Sequence, residues 1–394
     1  MDLYYFFFFF SCQGAQKSVK IVDISYLILD NRKMRIKSNI QNLNNYKIQL
    51  QVEQAVHEFM QYKGYLKLDL PVMSPALIPE SYLEIFETEF NYFKRKEKLY
   101  LTPSPELFMK RLLTQGIGDI YYLGKSFRNS EPNSSFHLPE FTMLEFYKVG
   151  VTYLELSNEI LEMMRFIADK ITRTRNFVHK KINKTLFYQG RKISFEKWEK
   201  FTVAQAFEKF AQIKEKELFN EKLFLERAKE KGYIIDYSSS GIEKNKSSSR
   251  QARTVNFTFQ DIFSQLIAQE IEPKLGISGY PTMLYDYPKE MSSLAKLSMD
   301  GKTAKRVEFY INGIEVGGCC EELNDWREQD IRFKRENLKR KKESKINHRV
   351  DNGFIEALKY GLPDCTGAGI GFERLAMIYA GVSSIEELKL INIS

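Results

Sequence analysis

The chain has 394 residues, of which 43% are hydrophobic and 28% charged, so it is long enough for one large domain or two and has the balance of a soluble globular protein. Its net charge of +8 favours acidic partners, such as nucleic acid or an acidic protein. The four cysteines, Cys12, Cys319, Cys320 and Cys365, contain no C-x-x-C pair, which excludes the usual signatures of a zinc site or a disulfide framework and makes the reducing cytoplasm the expected compartment.

The chain opens on MDLYYFFFFF, an aromatic run too short to span a bilayer and carrying Asp2 where a secretory leader carries positive charge. It reads as an extension rather than a targeting signal, and no other stretch approaches transmembrane length. Residues 17–48 mix a short apolar strand candidate, VKIVDISYLIL, with a polar Asn-rich stretch to which no function attaches. Residues 48–62 have helical spacing, Gly64 stops that helix, and GYLKLDLPVMSP then alternates as a strand. Residues 99–111 read as a strand end, a Ser-Pro turn and a helix start, with Ser104 or Thr102 as cap. Two antiparallel strands follow: Ile120, Tyr122, Gly124, Ser126 and Arg128 share a face of the first, and Phe141, Met143, Glu145 and Tyr147 share a face of the second. The Asn-, Ser- and Pro-rich stretch between them is a loop.

Residues 153–171 form a helix by period, and 173–200 are strongly basic with a short hairpin at Gln189-Gly190. Residues 201–213 read as a second amphipathic helix, and 237–250 as a low-complexity surface loop. Together the region of about 165–255 reads as a helical, basic insertion. A helix at 257–275 and a strand in GYPTMLYDYPKEMSSLA come next. Asn312-Gly313 is the clearest hairpin signal in the chain: a two-residue type I′ turn pairs Ile311 with Ile314 and Tyr310 with Glu315. Glu308 and Glu315 are thereby placed by register, and Glu322 follows after Gly317-Gly318, which allow a bulge. Residues 325–347 form a long, charged helix explained mostly by solvation. In residues 361–381 a glycine-rich strand leads into a helix that begins near Phe372, with Arg374 in its first turn.

Three patterns carry chemistry, each with a plainer alternative. Arg128 beside Phe141 suits a nucleotide, through bidentate phosphate pairing and base stacking, and Glu145 further along suits an ammonium group; an amphipathic sheet with solvated charges gives the same pattern. Glu106, in the first turn of its helix, is favoured by the helix dipole whether or not it has a ligand. Glu315 and Glu322 suit Mg²⁺ beside phosphates, or are surface acids.

FRN at 127–129 with HLPEFTMLEFY at 137–147 resembles motif 2 of the class II aminoacyl-tRNA synthetases, in the lysyl branch and in its shortened relative, the elongation factor P lysine ligases. The helix, strand and proline at 48–71 resemble motif 1, and GLPDCTGAGIGFERLAMIYAG at 361–381 is similar to motif 3. SPELFMKRLL at 104–113 and E-x6-ELND at 315–325 extend the resemblance.

This resemblance implies an α+β fold, an antiparallel sheet flanked by helices, over residues 49–394, dimerising through motif 1. Residues 1–48 are too short for the anticodon-reading OB barrel of the lysyl, aspartyl and asparaginyl group. It implies bent ATP with Arg128 on the α-phosphate and Arg374 on the terminal phosphate as the catalytic pair, adenine between Phe141 and Arg374, Glu131 and His137 at the nucleotide, and Mg²⁺ on Glu315 and Glu322. Lysine, or β-lysine, would be held through Glu106, Glu145, Tyr147 and Asn324. The expected product is an aminoacyl-adenylate, and the expected acceptor a lysine amine of elongation factor P. The alternatives are a truncated lysyl-tRNA synthetase acting on tRNA and an inactive paralogue that binds ATP or RNA. Four positions depart from the family pattern: Ser130 replaces a glutamate for which Glu131 substitutes, Leu138 replaces an asparagine, Gly318-Cys319-Cys320 replaces Asn-Gly-aromatic, and Gly369 stands where the elongation factor P ligases often have alanine, which points to α-lysine.

Overall fold

The computed structural model describes residues 35–129, 134–175, 184–237, 255–342 and 345–393. The aromatic N-terminal run and its Cys12, Ser130 and Glu131, and all but the first residue of the low-complexity stretch lie outside the described residues. The elements that position the site, in chain order, are α1 (Leu43–Tyr62), β1 (Leu66–Lys67), β2 (Glu87–Tyr92), β3 (Arg95–Leu101), α2 (Glu106–Leu113), β4 (Ile120–Phe127), β5 (Glu140–Val149), α3 (Tyr153–Arg175), β6 (Glu199–Thr202), α4 (Phe259–Leu266), β7 (Thr282–Pro288), β8 (Thr303–Ile311), β9 (Ile314–Glu321), α5 (Trp326–Lys342), β10 (Cys365–Gly371) and α6 (Phe372–Ala380).

Eight of the strands form one sheet in the order β6-β7-β8-β9-β10-β5-β4-β1, antiparallel at its centre and parallel at both edges, where β6 joins β7 and β1 joins β4. The expected architecture, an antiparallel-rich sheet flanked by helices, is therefore present. The β4–β5 pairing sets Ser126 opposite Phe141, Gly124 opposite Met143 and Tyr122 opposite Glu145, as the alternation requires. In the Asn312-Gly313 hairpin Ile311 pairs with Ile314 and Tyr310 with Glu315. Both turn residues have positive φ, 51° and 77°, the signature of a type I′ turn. Phe309 then pairs with Gly317, so Val316 is the extra residue of a bulge.

One face of the sheet is core. Tyr121, Leu144, Phe146, Val307, Phe309, Val316 and Ile370 meet α1, α3 and α6 there. On α1 the buried residues Val52, Ala55, Val56, Phe59 and Met60 repeat at helical spacing. The helix starts earlier than its apolar period, at Leu43, because the Asn-rich turn is anchored by polar bonds: the Asn42 amide donates to the carbonyls of Glu386 and Lys389, and that of Asn45 to Glu387. Among the described residues no helix is long and apolar enough to cross a membrane, and Cys319, Cys320 and Cys365 are free thiols.

Two expected helices differ. The stretch 201–213 opens as part of strand β6, because Thr202 caps the next element through a capping box with Gln205, so the residues before it are extended. The stretch 257–275 is helical from Phe259 to Lys274, but α-helical only through Leu266, continuing as a π-helical turn and a 3₁₀ turn that contains Pro273. These segments share a second core, in which Phe207, Phe224, Phe259 and Phe263 pack near Tyr287 of β7.

Helix α5 also departs from a purely solvated reading. Arg340 is 2% exposed: its guanidinium donates to the carbonyls of Glu80 at 2.7 Å, Leu83, and Ile346 at 2.7 Å, and approaches Glu84 at 3.3 Å. Arg332 donates to the carbonyls of Ser293 and Ala295, both at 2.9 Å. Two otherwise irregular segments are thus clamped against the sheet. Arg340→Ala leaves those carbonyls unpaired and is expected to cost about 3 kcal/mol, read as a lowered midpoint in urea unfolding.

Candidate active site

The second face of the sheet floors a cleft of about 330 Å³. Its lining draws Glu106 from α2, Arg128 from the end of β4, Phe141, Glu145 and Tyr147 from β5, Glu308 from β8, Glu315 and Glu322 from β9 and the turn after it, and Arg374 from α6. The residues at 128, 315, 322 and 374, far apart in sequence, therefore surround one cavity.

At one end stand the guanidiniums. Arg128 lies 5.3 Å from the Phe141 ring centroid, and its buried Nε has no hydrogen-bond partner among the described residues. A donor left open beside a ring face fits an anionic oxygen next to a stacked base. Arg374 is anchored instead: Nε donates to the Phe136 carbonyl at 3.1 Å, and Nη1 donates to the Glu315 carbonyl at 2.9 Å and lies 3.4 Å from Glu315 Oε2. Nη2 donates to His137 Nε2 at 2.7 Å. Because a guanidinium only donates, that nitrogen accepts, which leaves the ring proton on Nδ1 facing Ser134 Oγ at 2.8 Å. Glu373, 2% exposed, fixes the helix that carries Arg374 by accepting from the Thr142 backbone at 2.8 Å and its hydroxyl at 2.9 Å.

At the other end stand acids. Glu145, 6% exposed, accepts from the Ser104 hydroxyl at 2.7 Å and the Tyr147 hydroxyl at 2.8 Å, while Ser104 Oγ also accepts from the Glu106 amide. Ser104 thus caps the turn and orients the carboxylate together. Burial, and then the neighbouring Glu106 charge, push Glu145 up to about 8 against the pull of those hydrogen bonds and of Lys110. Lys110, 1% exposed, touches Glu106 Oε1 and lies 2.5 Å from Glu322 Oε2. Burial alone would strip its proton, but Glu106 and Glu322 outweigh that and hold the ammonium well above its ordinary range.

Glu315 and Glu322 line the same cavity with different company. Burial and the charge of Glu308 push Glu315 up, opposed by Arg374, Arg306 and Arg128. Glu308 in turn accepts from the hydroxyls of Tyr287 at 2.5 Å and Tyr310 at 2.7 Å and from Arg306 at 2.6 Å. Glu322 faces Lys110 and Glu106. Among the described residues no group of three or more His, Cys, Asp or Glu side chains forms a ready metal cage. Such a set fits Mg²⁺, which keeps water and phosphate oxygens among its ligands, better than a cation that needs an all-protein shell.

One expected residue is not on this wall. Strand β9 ends at Glu321, the chain turns, and the Asn324 amide donates to Asp364 Oδ1 at 3.0 Å instead of lining the cleft. Glu131 lies outside the described residues. Lys110 and Arg306 also belong to this site, although neither carries a motif of its own. The first is signalled by its i,i+4 spacing from Glu106, and the second by sharing the strand face of Glu308.

Along the chain, residues 25–391 match the family described as tRNA synthetases class II (D, K and N). The elongation factor P--(R)-beta-lysine ligase of Proteus mirabilis (strain HI4320) is 32% identical over 337 residues, covering 84% of this chain and 90% of that protein. With this likeness running almost end to end, and with charged residues of its second and third motifs meeting around one cleft, the chain belongs to the class II tRNA synthetase family of the D, K and N group.

Proposed function

We propose that the protein uses ATP to activate lysine, or a lysine isomer, as an aminoacyl-adenylate and transfers the aminoacyl group to a lysine side chain of elongation factor P. The observation that carries this reading is the polarity of the cleft: a guanidinium with an unpartnered Nε beside a ring at one end, and paired acids at the other. The name of the relative from Proteus mirabilis supports the acceptor.

In this reading Phe141 and Arg374 enclose the adenine, His137 sits beside it, Arg128 holds the α-phosphate and Arg374 the terminal phosphate. Glu315 and Glu322 would hold Mg²⁺, which would supply charge neutralisation of the triphosphate. Glu106, Glu145 and Tyr147 hold the ammonium groups of the amino acid. The amino-acid carboxylate attacks the α-phosphorus, a P–O bond forms, and the bond to pyrophosphate breaks with the electron pair leaving on pyrophosphate. The acceptor amine then attacks the adenylate carbonyl, the C–O bond breaks, AMP departs, and the amine gives up a proton as the amide forms. No protein nucleophile is needed, because positioning and fixed charge lower the barrier. A Cβ at Gly369 would meet only Met143 Sδ at 3.6 Å, so an alanine would fit at this position of the cleft wall. The chain is proposed to act as a homodimer through α1 and β1, where Tyr62 and Leu66 are exposed.

The acceptor is tested by following labelled lysine, in either isomer, with ATP and purified elongation factor P or tRNA. Label on a side-chain amide of elongation factor P is the expected result, and label on tRNA alone would assign the chain to tRNA charging. The raised Glu145 value gives a second test. Below about pH 8 the free carboxyl is largely protonated, and binding an ammonium group must release that proton. Lysine affinity is therefore expected to rise from pH 6 toward pH 8, and Glu145→Gln to flatten that rise, as measured by KM for lysine against pH.

A further inference from the structure

Lys110 is a buried cation that the adenylation chemistry just described does not use. It comes from the second turn of α2, one helical turn after Glu106, and is 1% exposed. Glu106 and Glu322 line the cleft, whereas Lys110 does not: its ammonium stands behind the two carboxylates and touches both. Three elements, α2, β5 and the turn after β9, bring Glu106, Glu145 and Glu322 to this one place. Left alone, acids so arranged repel one another. One ammonium against three carboxylates leaves this end of the cleft two negative charges in excess when all are ionised.

We infer that Lys110 is a positioning residue, a fixed counter-ion that pairs with Glu106 and Glu322 and keeps both aimed, so that the wall of the cleft is preformed for the ammonium groups of a cationic amino acid. Lys110 occupies one cation position permanently and from behind, and the substrate supplies the charge that remains. The inference rests on the reading that this end of the cleft takes the amino acid. It adds that recognition depends on a cation the protein carries itself, not only on the acids that face the substrate. Removing it leaves Glu106 and Glu322 with an unbalanced buried charge, and the loss falls first on amino-acid binding through Glu106, reaching the nucleotide only through the Mg²⁺ proposed at Glu322.

The test uses the full chain and lysine-dependent ATP–pyrophosphate exchange. Lys110→Met keeps the volume and removes the charge. With Mg²⁺ saturating, it is expected to raise KM for lysine about 30-fold while KM for ATP stays within about threefold. Lys110→Ala leaves an ammonium-sized gap, and propylammonium is expected to restore exchange about tenfold where propanol, of the same size and uncharged, does not. If Lys110→Ala is unfolded, recovery of its thermal transition with propylammonium and not with propanol supports the same conclusion. Equal changes in the two KM values, or rescue by propanol as well as by propylammonium, would show Lys110 to be packing alone and overturn the inference. A wild-type protein without lysine-dependent exchange would instead sink the proposed function, so the two failures are distinguishable.

Discussion

Charge placed on the inner face of a sheet is tolerated only when each group has a partner, and that constraint shapes this molecule more than any other. The cleft floor carries acids and guanidiniums where most sheets carry apolar side chains. Each is answered: Glu145 by Ser104 and Tyr147, Glu322 by Lys110, Arg374 by Glu315 and two carbonyls, Glu308 by Arg306 and two phenols. The surrounding structure serves this pairing, and its result is a polar site whose groups are already oriented before a ligand arrives. The Arg128 Nε is the departure, since it is buried without a partner among the described residues at the place where an anion fits.

Such pairing demands strict register. The Asn312-Gly313 turn sets β8 against β9, and the Val316 bulge shifts the pairing between Glu315 and the residues that follow it. Close approach in the sheet depends on glycine. A Cβ on Gly317 would run into the Gly369 carbonyl, and one on Gly367 into Glu322 and the Tyr147 ring. The floor is therefore thin under the cleft while the opposite face remains a continuous apolar core. Outside the sheet, α5 supplies the remaining restraint. Its Arg332 and Arg340 reach beneath the surface to hold the loops that bring Ser292, Ser293, Glu80 and Tyr82 to the rim.

The strands of motif 2, the Asn-Gly hairpin and the helix start at Phe372 were legible because alternation, turn chemistry and glycine spacing are local properties. So was the family, since its motifs are contiguous stretches. The parallel edge strand Glu199–Thr202 was not legible: its partner β7 lies some 80 residues on, and nothing local separates it from the helix that follows. The inward turn of Arg340 was hidden because a basic helix end has an ordinary explanation in solvation and the helix dipole. Lys110 was missed for a related reason, since a lysine beside a glutamate on a helix reads as a surface pair until burial is known. Asn324 was assigned by likeness alone, and the turn after β9 carries its amide to Asp364.

The central claim is that two guanidiniums and the acids opposite them act together on one nucleotide and one amino acid. The most direct test is pyrophosphate exchange into ATP, without any acceptor, in the wild-type protein and in Arg128→Ala. The account predicts exchange that requires lysine or one of its isomers and is lost in Arg128→Ala while the circular-dichroism spectrum is unchanged. Exchange at the wild-type rate in Arg128→Ala, or no exchange with any lysine isomer in the wild type, would contradict it.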